Sequence, residues 1–443
     1  MNNSQPQQLQ PRHWLPLALP LLGLGFLVGL VCLPLNAIDQ WVDGLLAGLF
    51  DQPAGAWILL PLPVMPLLLL LQRGPLRQGL GSGIPQTVLC LEEPERRATL
   101  LGLRPLGARL LLWTVASLSL LPLGREGPVV FVGAALVWAL RPWLGGVLQR
   151  LQLPVLLAVA GGAGLAAGFN TPLVGAVFAA EDLLQRWSTP LLWAALPVVL
   201  PAALVAGLGG EALFGYGLVP VQATEYQQLL VALPLGLIGG LLGALFSGLV
   251  LYASRRLGPL STARPLVTGL GLGAALVLLA LISGGRAYGD GSQVLVDLIS
   301  RGGSLPPAEG LRVLLARLLG PVLALGAGIP GGLIDPALSI GGVAGGLLLQ
   351  LFSGQDPLLG IALGMAAGLA GSTQLPIFST LFALRLCGDQ QVLPGVLLAS
   401  AVAAMVSRSL QPSPVYHGLT ELFRQGLATP EAPEAEPQRA PRR

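Results

Sequence analysis

The segment Gly164–Glu181, GLAAGFNTPLVGAVFAAE, decides the fold. It ends a run, 151 to 180, that contains no Asp, Glu, Lys or Arg and is long enough to cross about 30 Å of hydrocarbon. Glycine and proline break the run, which predicts interrupted rather than continuous helices. Sliding the chain against itself by 204 residues lays this segment on Gly368–Arg385, GLAGSTQLPIFSTLFALR. Six of the eighteen positions agree, among them Gly164/Gly368, Pro172/Pro376 and Phe178/Phe382. At an offset of 208, Gly124–Gly133 (GREGPVVFVG) falls on Gly332–Gly341 (GLIDPALSIG), with Gly, Pro and Gly matching. Two matches at nearly one offset predict an internal duplication, and paired halves with broken helices are typical of transporters with a site at the bilayer midplane.

The rest of the chain agrees with a membrane solvent. Of 443 residues, 53% are hydrophobic and 10% charged, and the mean hydropathy is +0.74. A soluble domain carries about 25% charged residues, so a water-soluble fold is excluded, and so is disorder. The 61 glycines and 39 prolines follow no G-X-Y period, which excludes collagen. Charge-free intervals also occupy 52–72, 226–254, 265–285, 357–384 and 390–407. Further apolar blocks at 14–38, 101–123, 129–140, 187–210 and 311–352 complete the spans expected of an all-α polytopic protein. The organisation expected is a cytoplasmic segment 1–13, membrane repeats 14–215 and 216–423, and a solvated, disordered tail 424–443. Residues 1–13 are Gln/Asn-rich and show no cleavable signal peptide. A net charge of +3, with no lysine, is no nucleic-acid footprint. Cys32, Cys90 and Cys387 stand far apart, as do His13 and His417, so neither a disulfide framework nor a zinc cluster is expected. No metal or organic cofactor is called for.

Three boxes carry the chemistry: Gly81-Ser82-Gly83-Ile84-Pro85, Gly124-Arg125-Glu126-Gly127-Pro128 and Gly332-Leu333-Ile334-Asp335-Pro336. Gly-x-x-x-Pro ahead of an apolar run reads as a helix start, with proline expected at the first helical position. Such an end presents free N–H donors and about half a positive charge. Three converging ends form an anion site without a full cationic side chain, which suits an ion that must bind and leave. Arg125 and Glu126 are the only ionisable residues between Arg109 and Arg141, and intramembrane charges are functional by default. An inert Arg125–Glu126 pair is the structural alternative. For Ser82 that alternative is a helix cap, for Tyr416 an interfacial belt residue. For Glu181 and Asp182 it is a solvated helix end beside Arg186. Asp335 is expected as the N-cap of the helix it opens.

GSGIP, GREGP and the GxxxP third box resemble those of the CLC chloride channel and transporter family. So do AAGFNTPLVGAVFAAED after the second box and SPVYHGL at Ser413–Leu419. These matches run from residue 81 to 419. The third box reads GLIDP where the family usually has GIFAP. The resemblance implies a homodimer in the lipid bilayer of a prokaryotic cell membrane, with one anion pathway per subunit and two inverted repeats of broken and re-entrant helices.

The resemblance also implies residue roles. Ser82, with Gly83 and Ile84 of the same box, holds chloride, and related proteins that favour nitrate carry proline in place of Ser82. Leu333 and Ile334 contribute backbone amides, and Tyr416 contributes its phenol. Glu126, flanked by Arg125 and Gly127, is the gate and proton carrier. Asp182, next to Glu181, falls where family transporters place an inner proton-transfer glutamate; aspartate keeps the carboxyl but is one methylene shorter. Chloride/proton antiport is the activity implied, with a passive voltage- or pH-gated chloride channel as the alternative on the same scaffold. An intramembrane hydrolase lacks its motifs, for neither HExxH nor GxSxG occurs.

Overall fold

A computed structural model describes residues 15–50, 52, 55–148, 151–209, 219, 221, 225–352 and 356–428. The segment 1–13, the junction expected near 215/216 and the tail beyond 428 lie outside the described residues. Among the described residues the chain is helical, with one isolated β-bridge. The first half comprises α1 (Leu15–Phe50), α2 (Pro61–Arg73), α3 (Ile84–Glu92), α4 (Leu103–Leu118), α5 (Glu126–Leu140), α6 (Leu153–Phe169), α7 (Pro172–Phe178) and α8 (Thr189–Ala206). The second comprises α9 (Glu225–Ala263), α10 (Pro265–Ser283), α11 (Ser292–Ser300), α12 (Pro307–Gly326), α13 (Ile334–Gln350), α14 (Pro357–Thr373), α15 (Pro376–Cys387) and α16 (Leu393–Leu410). A last helix, α17 (Val415–Ala428), follows. It continues past 424, where the solvated tail was expected to begin.

The duplication inferred from sequence is visible in the element starts. Ile84 and Ser292, like Glu126 and Ile334, are 208 residues apart. Leu103 and Pro307, Leu153 and Pro357, and Pro172 and Pro376 are 204 apart. Packing repeats as well. Gly133 of α5 lies so close to Ala160 of α6 that a Cβ would collide with its carbonyl, and Gly341 of α13 meets Gly364 of α14 in the same way. Backbones this close are the usual solution where lipid supplies no drive for helix association.

A backbone bridge joins the two repeats at equivalent residues. Gly124 N–H donates to Gly332 O (3.3 Å) and Gly332 N–H to Gly124 O (2.9 Å), an antiparallel exchange between residues that occupy equivalent places in the two halves. A residue bonded reciprocally to its own counterpart, with chain direction reversed, lies beside a two-fold axis. The bridge therefore lies at a local two-fold relating the starts of α5 and α13.

Length decides which helices cross. α1 and α9 have 36 and 39 residues, enough to span with tilt. α3 and α11 have nine each, about 14 Å. They reach only partway through the apolar layer, so their N-termini lie inside it. The outer surface suits lipid: Leu237, Leu241 and Leu245 of α9 are all about half exposed along one helix face.

Candidate functional site

The loop ahead of α3 is held in place from three sides. Arg109 of α4 donates from Nε to Gly81 O (3.2 Å) and from Nη2 to Leu80 O (3.0 Å), with its guanidinium over the Phe131 ring. Gln86 accepts from Gly83 N–H (2.8 Å) and donates to Leu80 O (3.1 Å). Gly81 N–H donates to Gly328 O (2.9 Å). Gly83 has φ +120°, in the left-handed range that favours glycine. This clamp presents Ser82 with its hydroxyl buried and without a protein hydrogen-bond partner. A cap would bond the helix it opens, so the cap reading of Ser82 does not hold.

The three boxes converge. A Cβ on Gly127 would strike Ser82, and one on Gly83 would strike Gly127 O. Gly331, just ahead of the third box, faces Gly127 too. Glu126, fully buried, accepts at Oε1 from the N–H of Asp335 (2.7 Å) in the first turn of α13. Its Oε2 has no partner and occupies space that a side chain on Gly124 or Gly332 would need. A carboxylate therefore sits on a helix N-terminus, where an anion would be held. Leu333 and Ile334, both buried, supply the neighbouring backbone.

Proline is not at the first helical position. α3 begins at Ile84, α5 at Glu126 and α13 at Ile334, so Pro85 is second while Pro128 and Pro336 are third. Asp335 is likewise not an N-cap. Leu333 holds that place, and Asp335 lies inside the first turn, buried, with both carboxylate oxygens unpartnered. Its backbone N–H serves Glu126 instead.

Arg125, beside Glu126 in the chain, is engaged by α1 and α6. It forms an ion pair with Asp39 of α1, donates from Nε to Gly168 O (2.8 Å) and lies over Phe169. Asp39 was missed in the sequence because it falls just beyond the charge-free block at 14–38.

Glu181 and Asp182 part company at a π-turn, Ala179–Leu183, that prolongs α7. Such turns add a residue to the helix and recur at functional sites. Glu181 accepts from Ile377 N–H (3.1 Å) and Phe378 N–H (2.7 Å), which caps α15, the repeat partner of its own helix. Asp182 turns inward and is 1% exposed, with neither oxygen bonded. It is not a solvated helix end. Tyr416 of α17 is buried too, its ring edge-on to Phe178 (6.3 Å between centroids) and its hydroxyl unpartnered. It lies within electrostatic range of both Glu126 and Asp182. A belt residue would face the interface, so that alternative fails as well.

α17 is fixed to α3 from the membrane face. Thr420 donates to Pro85 O (3.4 Å), and Arg424 pairs with Glu92 (2.5 Å), Glu93 (2.6 Å) and Glu421 (2.5 Å). The Arg424 guanidinium holds the Glu93 carboxyl below the usual glutamate range. Gln185, just after the π-turn, meets His417 at 3.0 Å. The segment that follows Asp182 and the end of α3 thus both bind α17.

A family model described as voltage gated chloride channel matches residues 64–408. The chain is 30% identical over 311 residues to the voltage-gated ClC-type chloride channel ClcB of Salmonella typhimurium, covering 66% of this chain and 70% of that protein. To ClcB of Escherichia coli O17:K52:H18 it is 31% identical over 307 residues, with the same coverage. Among solved structures, a eukaryotic CLC transporter superposes with a TM-score of 0.76 at 22% identity, covering 93% of this chain and 74% of that one. A slow cyanobacterial Cl−/H+ antiporter gives 0.73 at 24% identity, covering 91% and 97%. At these identities the structural likeness speaks for the fold.

Proposed function

Because the chain belongs to the voltage-gated chloride channel (CLC) family, and is therefore a multi-pass integral membrane protein, we propose that it exchanges chloride for protons across the cell membrane as a homodimer. The observation that carries this reading is the Glu126 carboxylate, which accepts from the N–H at the start of α13 as a bound anion would. Ionised, it fills the anion place. Protonated, it loses its hold on the helix end and withdraws, and chloride takes the N–H donors together with the hydroxyls of Ser82 and Tyr416. Hydroxyls and amides bind the ion without the grip of a buried guanidinium, so it can leave.

The proton that neutralises Glu126 comes from the cytoplasmic side through Asp182. Burial without a hydrogen-bond partner supports that role, because neither carboxyl oxygen is committed to a structural bond. Tyr416 lies within electrostatic range of both acids. One side chain thus alternates between anion and proton, which ties the two fluxes together.

The test is a chloride gradient imposed across proteoliposomes, read with a pH electrode. Protons are expected to move uphill, and Glu126→Gln is expected to pass chloride without them. Chloride flux in the wild type with no proton countermovement would make the protein a passive channel.

A further inference from the structure

The repeat gives the Ser82 loop a counterpart. Gly81 (φ +82°) and Gly83 (φ +120°) correspond at an offset of 208 to Gly289 (φ +66°) and Gly291 (φ +118°), and the nine-residue α11 follows as α3 does. The arginine clamp is repeated as well. Arg317, which corresponds to Arg109, donates from Nη1 to Tyr288 O (3.2 Å) and Gly289 O (2.8 Å), the equivalents of Leu80 O and Gly81 O. The residue presented in the place of Ser82 is Asp290. A loop that offers a hydroxyl to an anion in one half offers a carboxylate in the other.

Asp290 is 4% exposed, and its ligand-type oxygen lies within 4.8 Å of those of Asp39 and Asp43 from α1. Its Oδ1 accepts from Ser292 N–H (2.9 Å) and Oγ–H (2.6 Å), while Oδ2 has no partner. Ser292 Oγ is also 2.9 Å from both oxygens of Asp43, and Asp43 is half-buried where the others are buried. Asp335, 2% exposed and with both oxygens unpartnered, lies within electrostatic range of Asp290, Asp43 and Glu126. The cations facing the group are Arg125, paired with Asp39, and Arg317, whose Nη2 donates to Asp290 O and whose Nε donates to Ser339 (3.1 Å). Two guanidinia at the rim disfavour a divalent metal. They do not balance the acids Asp39, Asp43, Asp290, Asp335 and Glu126. Asp39, Asp43 and Asp290 bring three carboxylates within one small space, close enough for a proton to pass from one to the next.

We propose that this mirrored pocket is a proton port, in which Asp43 and Asp290 accept protons from water on the face opposite Asp182 and Asp335 passes them to Glu126. The proton moves alone: the O–H bond of one carboxyl breaks as that of the next forms, and each donor is left ionised to accept again from hydronium. The port rests on the antiport reading and supplies its second mouth. In this proposal Asp182 serves one face and the Asp290 group, at the start of the repeat-equivalent helix α11, serves the other.

The test uses full-length protein in proteoliposomes under a chloride gradient, with chloride and proton fluxes measured together. Asp290→Asn is expected to lower proton flux at least about tenfold while chloride flux persists, the loss of one positioned proton-transfer group. Asp290→Glu, which keeps a carboxyl, is expected to restore the wild-type flux ratio. Asp43→Asn, at a half-buried position, reads the same port should Asp290→Asn fail to fold. A wild-type protein that moves no protons overturns the antiport reading and the port together. A coupled wild type whose flux ratio is unchanged in both Asp290→Asn and Asp43→Asn overturns the port alone. Parallel loss of both fluxes, unrecovered in Asp290→Glu, makes the cluster structural and overturns it too.

Discussion

Gly124 and Gly332 bond to each other through both of their backbone N–H groups, and the Glu126 carboxylate fills the space their missing side chains leave. The position of that carboxylate is set by the N–H of Asp335 and by the room that two glycines from opposite halves leave. Replacing Gly332 tests this directly. Its φ is not positive, so alanine is tolerated by the backbone, and the new methyl meets the mobile end of Glu126. Gly332→Ala is expected to displace the carboxylate, flatten the pH dependence of chloride flux and raise the chloride-to-proton ratio. A variant with wild-type coupling would show that Glu126 does not use this space.

Ser82 offers a buried hydroxyl that nothing in the protein accepts or donates to. Ser82→Ala removes one donor to the anion and is expected to weaken chloride binding by about 1 kcal/mol, roughly fivefold in Kd. Titration calorimetry on detergent-purified protein measures it. Ser82→Pro is expected to raise nitrate transport relative to chloride, and an unchanged anion ratio would remove Ser82 from the pathway.

Asp182→Asn keeps the shape of the side chain and removes its proton. Proton flux is expected to fall well below chloride flux in the same vesicles. Equal loss of both would give the residue a structural role, and no loss would send the inner proton by way of Glu181 or water.

Arg424 ties α17, and with it Tyr416, to the end of α3. Its hold on Glu93 lowers that carboxyl, so the stabilisation is complete above the ordinary glutamate range and fades as pH falls through the lowered value. Arg424→Ala is expected to unfold at a lower temperature than the wild type at neutral pH. The gap should begin to narrow in the ordinary glutamate range near about pH 4 and close only once the pH has fallen through the lowered value. A gap that persists unchanged there would assign the stabilisation to packing.

Much of this site is legible in the sequence because glycine and proline act locally. The boxes at 81–85, 124–128 and 332–336 mark helix starts whatever surrounds them. The repeat offset is visible because close helix contacts admit only small residues at fixed places, as at Gly164 and Gly368. Other features depend on information that neighbouring residues do not carry. A single added residue in the π-turn rotates everything after it, so the text Glu181-Asp182 does not say which acid faces in. Asp335 reads as a cap because aspartate before proline usually is one, yet the backbone of α13 is already helical two residues before the proline. Asp290 was overlooked because its loop shares only two glycines with GSGIP; the signal was there in Gly289 and Gly291 at the same offset of 208.

The place of Glu126 beside the bridge has one more implication. A side chain next to a two-fold axis excludes its own image. At the position equivalent to Glu126 the second half has Ile334, and at that of Arg125 it has Leu333. A scaffold made of two like halves thus has room for one movable acid at its centre. The subunit is thus asymmetric at the very point where its architecture is most symmetric.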